Sequence, residues 1–349
     1  MTTHRIALLP GDGVGPEVVA EARMCVDELG LDVQWSGLEW GSDHWLEHGV
    51  MLPPDAIDRL REFDAVLLGA VGRPDIPDHV TLWGLLLPIR QRLDLWANVR
   101  PVRLLAGVPC ALAGRSPGDI DMVFVRENSE GEYSGVGGRV HEGHPEEVGI
   151  ETAVFTRTGV ERVVEHAFRL AGERRGLVTS ATKSNASRYG YVLWDEIAEQ
   201  VAARHPGVRY ERVLVDALAA RMVLRPDTLD VVVASNLFGD LLTDLGAALQ
   251  GGMGMAASAN ICPGSDVPGL FEPVHGSAPD IAGQGVANPC GAVWSAVLML
   301  GHLGEQAASA RLLAALEGVC RDGPRTRDLG GAAGTAEVGK AIRARLRGD

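Results

Sequence analysis

The stretch that organises this sequence is VVVASNLFGDLLTD, which spans residues 231–244. Its first four residues are apolar and small or β-branched, which is typical of a buried strand, and the polar pair that follows precedes an apolar run typical of a helix. Asp240 and Asp244 stand four positions apart, so both carboxylates would lie on one helix face about 5–6 Å apart. An isolated pair of aspartates at this spacing more often lies on an exposed, solvated helix face. Because this pair directly follows a buried strand, where parallel sheets bind ligands, we predict a site for Mg²⁺ or Mn²⁺.

Composition restricts the class of protein. The 349 residues suffice for two domains, and 46% hydrophobic residues allow a large core. A formal net charge of -14 argues against nucleic acid or an anionic membrane surface as partners, so an anionic substrate requires locally clustered arginines. The N-terminal apolar run is too short for a signal peptide and no 18-residue apolar stretch occurs, which predicts a cytoplasmic protein with no membrane segment. Five scattered cysteines without C-x-x-C spacing predict reduced thiols.

Strand-like and helix-like segments alternate along the chain, which predicts an α/β fold with a largely parallel sheet. The predicted strands are residues 5–10, 64–72, 121–126, 177–182, 210–215 and 231–234, and the predicted helices are 159–172, 191–204, 217–224, 292–303, 306–320 and 336–346. A further helix carries Trp83 and Arg90, with Pro88 as a kink or a first turn. Residues 127–139 are predicted to be a polar loop or hairpin, and residues 271–291 a long functional loop.

The glycine-rich turn GDGVGPEV at residues 11–18 does not match a dinucleotide fingerprint, because Pro16 stands where G-x-G-x-x-G requires glycine. A tight strand-to-helix turn, with proline in the first turn of the helix, explains the glycine-rich sequence equally well.

Three arginines, Arg90, Arg100 and Arg126, fall where strand ends and helices should converge. A guanidinium binds a carboxylate through two parallel hydrogen bonds, so together these residues could hold a small dianion, although each taken singly is more often a surface ion-pair partner. Lys183 follows a strand and is either a proton acceptor or a mobile loop lysine. Tyr133 could donate a proton, but sequence spacing alone leaves its role open.

Five motifs occur together and in order between residues 5 and 300: LPGDGVGPE, NVRP, RENSEGEY, SNLFGD and EPVHGSAPDIAG. In this combination the chain resembles the metal-dependent β-decarboxylating dehydrogenases, which include isocitrate, isopropylmalate and D-malate/tartrate dehydrogenases. The stretches DHVTLWG (78–84) and TSATKSN (179–185) are similar to the D-malate/tartrate branch. Isopropylmalate enzymes tend to have glutamate where Trp83 stands, which suggests a pocket shaped by this tryptophan. Residues 184–190 and 215–223 depart from the branch's usual sequence near the predicted C3 side of the pocket.

The resemblance implies an α/β, two-domain isopropylmalate dehydrogenase-like fold with a large mixed, mostly parallel sheet, unlike the conventional Rossmann fold. Residues 1–99 and 252–349 would form a large cofactor-binding domain. Residues 100–251 would form a second domain that carries the dimer interface and the metal and catalytic residues.

The resemblance also implies roles for the residues singled out above. Arg90, Arg100 and Arg126 would clamp the substrate carboxylates, Lys183 would accept the C2 hydroxyl proton, and Tyr133 would protonate the enolate. The implied metal ligands are Asp216, Asp240 and Asp244, with Asp216 and Lys183 reaching the site from the other subunit of a homodimer. The implied NAD-binding residues are His275, Gly276, Ser277, Ala278, Asp280 and Asn288. Asp280 would repel a 2′-phosphate and so favour NAD over NADP. The branch also suggests K⁺ as an activator.

We therefore expect NAD-dependent oxidative decarboxylation of a small 2-hydroxy diacid, either D-malate, which would give pyruvate and CO₂, or tartrate. One alternative is a 3-isopropylmalate or other 3-alkylmalate dehydrogenase. Another is a non-catalytic regulatory subunit, which loss of a metal aspartate, the lysine or the tyrosine would favour; none of them is lost.

Overall fold

The computed structural model describes residues 3–348. Within these residues, the strands in chain order are β1 (His4–Gly11), β2 (Val33–Gly37), β3 (Ala65–Ala70), β4 (Ala97–Arg103), β5 (Asp121–Glu127), β6 (Gly131–Val140), β7 (Val148–Val154), β8 (Leu177–Thr182), β9 (Arg209–Leu214), β10 (Val231–Ala234), β11 (Ala257–Ile261) and β12 (Gly269–Pro273). The α-helices are α1 (Gly15–Asp27), α2 (Ser42–His48), α3 (Ala56–Leu60), α4 (Asp78–Thr81), α5 (Leu87–Arg92), α6 (Arg157–Gly172), α7 (Gly190–Ala202), α8 (Val215–Leu224), α9 (Asn236–Leu249), α10 (Cys290–His302), α11 (Gln306–Asp322) and α12 (Thr335–Arg347). A π-helical turn covers Leu82–Leu86, and short 3₁₀ turns cover Pro226–Thr228, Met253–Met255 and Arg327–Leu329.

Ten strands form one sheet in the order β2-β1-β3-β12-β11-β4-β5-β10-β8-β9. Neighbouring strands run parallel except at β12-β11, β11-β4 and β4-β5 in the middle of the sheet. Strands β6 and β7 form a separate antiparallel hairpin. The predicted α/β fold with a large mixed, mostly parallel sheet is therefore confirmed.

Helices cover both faces of the sheet, which explains why its strands are continuous apolar runs. In β10, Val231 and Val233 pack into the core beneath α6 and α7, whereas Val232 and Ala234 pack into the core beneath α8 and α9. In the other half of the sheet, α1, α10, α11 and α12 cover one face, and α2, α3 and α5 cover the other. The organising stretch is thus a central strand buried on both sides.

All six predicted strands and all six predicted helices are present, with boundaries that shift by a few residues. The predicted hairpin is β6-β7, and Pro88 lies in the first turn of α5, directly after the π-helical turn. The predicted loop 271–291 is wrong at both ends, because residues 271–273 belong to β12 and residues 290–291 begin α10.

The two-domain division stays a prediction, and its first boundary, between residues 99 and 100, falls inside β4. No helix within residues 3–348 is long and apolar enough to cross a membrane. All five cysteines are free thiols, as the sequence predicts.

Candidate active site

The three predicted clamp arginines converge on one cavity of about 350 Å³. Arg90 comes from α5, Arg100 from β4 and Arg126 from β5, and all three side chains are buried. Tyr133 and Asp240 line the same cavity. The fold therefore concentrates three positive charges around one cavity of an otherwise acidic protein.

Each arginine is held by a partner on a neighbouring element. Arg90 donates from Nη2 to Glu272 Oε1 (2.7 Å), and Arg100 donates from Nη1 to Thr243 Oγ1 (2.7 Å). Arg126 forms an ion pair with Asp240. Burial, followed by repulsion from Arg126, lowers the pKa of Arg100 to about 9. Guanidinium groups that lose water and face one another are stabilised by an added anion, so this pocket suits a negatively charged ligand.

The predicted carboxylate pair lies on α9, one helical turn apart. Ser235 begins this helix, since its hydroxyl accepts from the backbone N–H of Phe238. Burial opposes ionisation of Asp240, but the charges of Arg126 and the other clamp arginines outweigh it and lower its pKa. Burial and the neighbouring Asp240 charge raise the pKa of Asp244. A cation beside these two carboxylates would relieve that repulsion.

Lys183 and Asp216 lie apart from the arginine pocket and contact each other. Lys183 follows β8, Asp216 lies in the first turn of α8, and Lys183 Nζ is 2.6 Å from Asp216 Oδ1. This hydrogen bond lowers the pKa of the Asp216 carboxyl. Neither residue lines the arginine cavity, and within residues 3–348 no three His, Cys, Asp or Glu side chains are grouped as metal ligands would be. A single chain thus brings together only part of the predicted site.

Tyr133 lies between the clamp and the carboxylates. The Arg126 guanidinium sits 5.8 Å from the centre of the Tyr133 ring, and the Tyr133 phenol lies within the influence of the Asp240 charge. Burial, followed by the Asp240 charge, raises the pKa of Tyr133. The phenol therefore keeps its proton at neutral pH, as a proton donor must.

The predicted cofactor loop borders a second cavity of about 620 Å³. His275 lines both cavities, and its buried Nε2 has no hydrogen-bond partner. Ala278 and Asn288 line the second cavity, whereas Gly276 lines the arginine cavity. Ser277 and Asp280 are among the lining residues of neither. His275 is thus a lining residue common to both cavities, which places the predicted cofactor loop beside the arginine cavity.

The glycine-rich turn contacts this loop directly. Val14 N donates to Ser277 O (2.8 Å), and a Cβ atom on Gly13 would stand 2.0 Å from that same oxygen. Gly13 also has a φ of +58°, so both its backbone conformation and its surroundings require glycine. The prediction of a tight turn is confirmed: it supports the loop around the second cavity.

Sequence reasoning missed several polar residues of the pocket. Glu272 pairs with Arg90, and Asn98 accepts from Arg100 Nε at 2.6 Å. Asn98 lies in the NVRP motif and Glu272 in the EPVHGSAPDIAG motif, so membership of these motifs is the sequence signal that could have identified them.

The suggestion that Trp83 shapes the pocket is not supported by its position. The indole packs against Gly135 of β6, where a Cβ atom would lie 2.7 Å from Trp83 Cη2, and 41% of Trp83 is exposed. The apolar wall of the cavity comes from Leu82, Leu86 and Leu87 instead.

The cluster of buried arginines beside a carboxylate-bearing helix fits an enzyme that acts on a small anionic substrate. The family model for isocitrate/isopropylmalate dehydrogenase matches residues 5–342, and the chain belongs to that family.

Relatives and a solved structure agree with this assignment. A probable tartrate dehydrogenase/decarboxylase of Agrobacterium vitis is 52% identical over 348 residues, covering 98% of this chain and 97% of the relative. The D-malate dehydrogenase [decarboxylating] of Escherichia coli (strain K12) is 49% identical over 354 residues, covering 98% of each chain. The crystal structure of isocitrate dehydrogenase from Methylococcus capsulatus superposes with a TM-score of 0.92 at 36% identity, covering 99% of this chain and all of the other.

Proposed function

We propose that this enzyme oxidatively decarboxylates a small 2-hydroxy diacid, D-malate or tartrate, with NAD as oxidant. The observation that carries the proposal is the cluster of three buried arginines around one small cavity, which suits two carboxylates rather than one. The names of the A. vitis and E. coli relatives agree with that substrate class.

A 3-alkylmalate is a second candidate substrate. The cavity wall formed by Leu82, Leu86 and Leu87 is apolar and could accept an alkyl substituent at C3. The substrate comparison below separates the two candidates.

The residues present fit a divalent cation and a dinucleotide. Asp240 and Asp244 repel each other on α9, and carboxylate oxygens suit Mg²⁺ or Mn²⁺. The unpartnered Nε2 of His275, a residue that lines both cavities, fits a polar atom of a bound dinucleotide. A cation held there would supply Lewis-acid polarisation of the substrate's C2 oxygen, and a bound NAD would supply the hydride acceptor.

The protein side chains would handle charge and protons. Arg90, Arg100 and Arg126 would hold the two carboxylates and orient C2. Lys183 Nζ would take the proton from the C2 hydroxyl as hydride leaves, and CO₂ would then depart from the β-carboxylate. Tyr133 Oη would deliver a proton to C3, which agrees with a phenol pKa raised by burial.

We further propose a homodimer with shared active sites, in which Lys183 and Asp216 complete the pocket of the other protomer. Neither residue lines the arginine cavity of its own chain, and Asp216 is exposed while Lys183 is half-buried, which supports this arrangement. Exposed apolar side chains on α8, on α9 and on the β6-β7 hairpin also support the homodimer, because such residues are typical of interfaces. They are Leu224 on α8, Leu241 on α9 and Val136, Val140, Val148 and Ile150 on the hairpin.

Two further parts of the proposal concern organisation and location. Residues 1–99 and 252–349 would form the cofactor-binding domain, and residues 100–251 the domain with the dimer interface. The enzyme would work in the cytoplasm, where thiols such as its five free cysteines stay reduced.

The function is tested by following NADH absorbance with D-malate, tartrate, 3-isopropylmalate and isocitrate, in the presence of Mn²⁺ and K⁺. We expect the highest kcat/KM for D-malate or tartrate and loss of turnover with a chelator. Restoration by Mn²⁺ controls for damage by the chelator, and omission of K⁺ tests its role. Preference for 3-isopropylmalate would establish the second candidate, and turnover that resists chelation would refute the metal site.

Cofactor choice is tested by Asp280→Ala. If Asp280 repels a 2′-phosphate, its removal should raise kcat/KM for NADP relative to NAD by about 10-fold or more. Asp266→Ala, an exposed aspartate that lines neither cavity, is the matched control. An unchanged ratio in Asp280→Ala would remove this residue from the cofactor site.

A further inference from the structure

Asn260, on β11, uses its full side-chain hydrogen-bonding capacity inside the protein. Its Oδ1 accepts from Asn98 Nδ2 (2.7 Å) and Asn128 Nδ2 (3.0 Å). Its Nδ2 donates to Leu270 O and to Glu272 Oε1, both at 3.0 Å. Because a backbone carbonyl and a carboxylate only accept, the orientation of the amide is fixed by its neighbours. Asn260 is fully buried, so breaking any of these bonds leaves a polar group without water.

Both branches of this network end on a clamp arginine. Glu272 Oε1, which accepts from Asn260, also accepts from Arg90 Nη2 at 2.7 Å. Asn98, which donates to Asn260, accepts from Arg100 Nε through its Oδ1 at 2.6 Å. We call this chain, Arg90–Glu272–Asn260–Asn98–Arg100, the asparagine relay. It connects a helix residue to a residue on β4 through three neighbouring strands.

Strand register explains why the relay can form. Asn260 pairs with Asn98 across the antiparallel β11-β4 ladder, and Ser258 pairs with Glu272 across the β11-β12 ladder. Alternate residues of a strand share a face, so Asn98 and Arg100 lie on the same side of β4. The relay therefore crosses the antiparallel middle of the sheet, and its members Arg90, Glu272 and Arg100 line the cavity.

The relay holds the clamp arginines in place against their mutual repulsion. Arg100 is buried and repelled by Arg126, and a guanidinium on a flexible stem would move away from this repulsion unless it were held. Asn98 and Thr243 hold two of its nitrogens, and Glu272 holds Arg90. Asn260 is hydrogen-bonded to neither arginine. It is hydrogen-bonded to Glu272, which binds Arg90, and to Asn98, which binds Arg100.

We propose that Asn260 is a positioning residue for diacid recognition, which sets the spacing of Arg90 and Arg100 and so favours substrates with two carboxylates. The inference rests on the proposed function, since it assumes that the arginines bind a diacid. Asn260 does not line the cavity, so its effect would be transmitted through Glu272 and Asn98.

The test uses the full-length protein with Mn²⁺ and compares Asn260→Ser with Asn98→Ser, which interrupts the relay at the next position. Isothermal titration of D-malate should give a Kd raised by about 10–100-fold in both variants, the range for residues that orient a binding group. The Kd for NAD should stay within about 2-fold of the unmodified protein. Gln250→Ala is the matched control, because Gln250 is a buried amide that accepts from Arg103 N and lines neither cavity.

A double-mutant cycle distinguishes positioning from general destabilisation. In an Arg100→Lys background, Asn260→Ser should have a much smaller effect on the D-malate Kd, because the group that it positions is already altered. Equal effects in both backgrounds, or an unchanged Kd in Asn260→Ser, would overturn the relay. Joint loss of NAD and D-malate binding in both serine variants would also overturn it, because the amides would then maintain the fold as a whole. If the unmodified protein binds NAD but none of the diacids, the proposed function itself fails, and the relay with it.

Discussion

Replacing Lys183 with methionine is expected to lower kcat by about 10²–10⁴-fold, the usual contribution of a positioned general base. The effect should be this large because Lys340, the other lysine of the chain, lines neither cavity, so no second amine can replace Lys183. The chain has only two lysines, Lys183 and Lys340, and arginine does not deprotonate in proteins. Initial rates of NADH formation at saturating Mn²⁺ and D-malate measure the loss.

Lys340→Met is the matched control, since Lys340 lies exposed on α12 and lines neither cavity. The Lys183 side chain forms an ion pair with Asp216, and ion pairs that are largely open to water contribute little to folding. Both variants should therefore melt at temperatures close to that of the unmodified enzyme. Full activity in Lys183→Met would show that another group accepts the hydroxyl proton.

Local sequence pattern predicts much of the fold because the burial of many strands and helices fixes the spacing of their apolar residues. Val231–Ala234 is a continuous apolar run because helices cover both of its faces. β4 and β11 lack such a signature. β4 contains Pro101, which cannot donate to a ladder, and β11 consists of small and polar residues except for Ile261 at its end. Their strand identity follows from pairing with distant segments, which no local pattern contains.

The same distinction holds in the candidate site. Arg126 and Asp240 stand at the end of or just after recognisable strands, so their convergence could be predicted from the ends of those strands. Asn260 and Glu272 belong to the site only through cross-strand register and side-chain hydrogen bonds, which are non-local. The separation of Lys183 and Asp216 from the pocket within one chain followed from the family resemblance rather than from residue spacing.

Asp240→Asn is the second substitution with a large expected effect. The amide keeps the shape of the side chain but loses the charge that attracts a cation, so we expect the Kd for Mn²⁺ to rise by more than about 10-fold and kcat to fall by about 10²–10³-fold. Electron paramagnetic resonance of free Mn²⁺ measures the Kd for Mn²⁺, and the rate of NADH formation measures kcat. NAD should still bind, because Asp240 does not line the second cavity. Asp58→Asn, on the exposed side of α3, is the control. Unchanged turnover at saturating Mn²⁺ would refute the ligand assignment.

Combining the two inactive variants tests whether the active sites are shared. In a heterodimer of one Lys183→Met protomer and one Asp240→Asn protomer, a shared arrangement places both substitutions in one site and leaves the other intact. Differentially tagged heterodimers should therefore recover about half of the unmodified activity, because one of two symmetric sites works. Each parent homodimer carries one defect in every site and should stay nearly inactive. If each site were built from a single chain, both sites of the heterodimer would be defective and no activity would return. Recovery would thus explain why Lys183 and Asp216 lie away from the arginine pocket of their own chain.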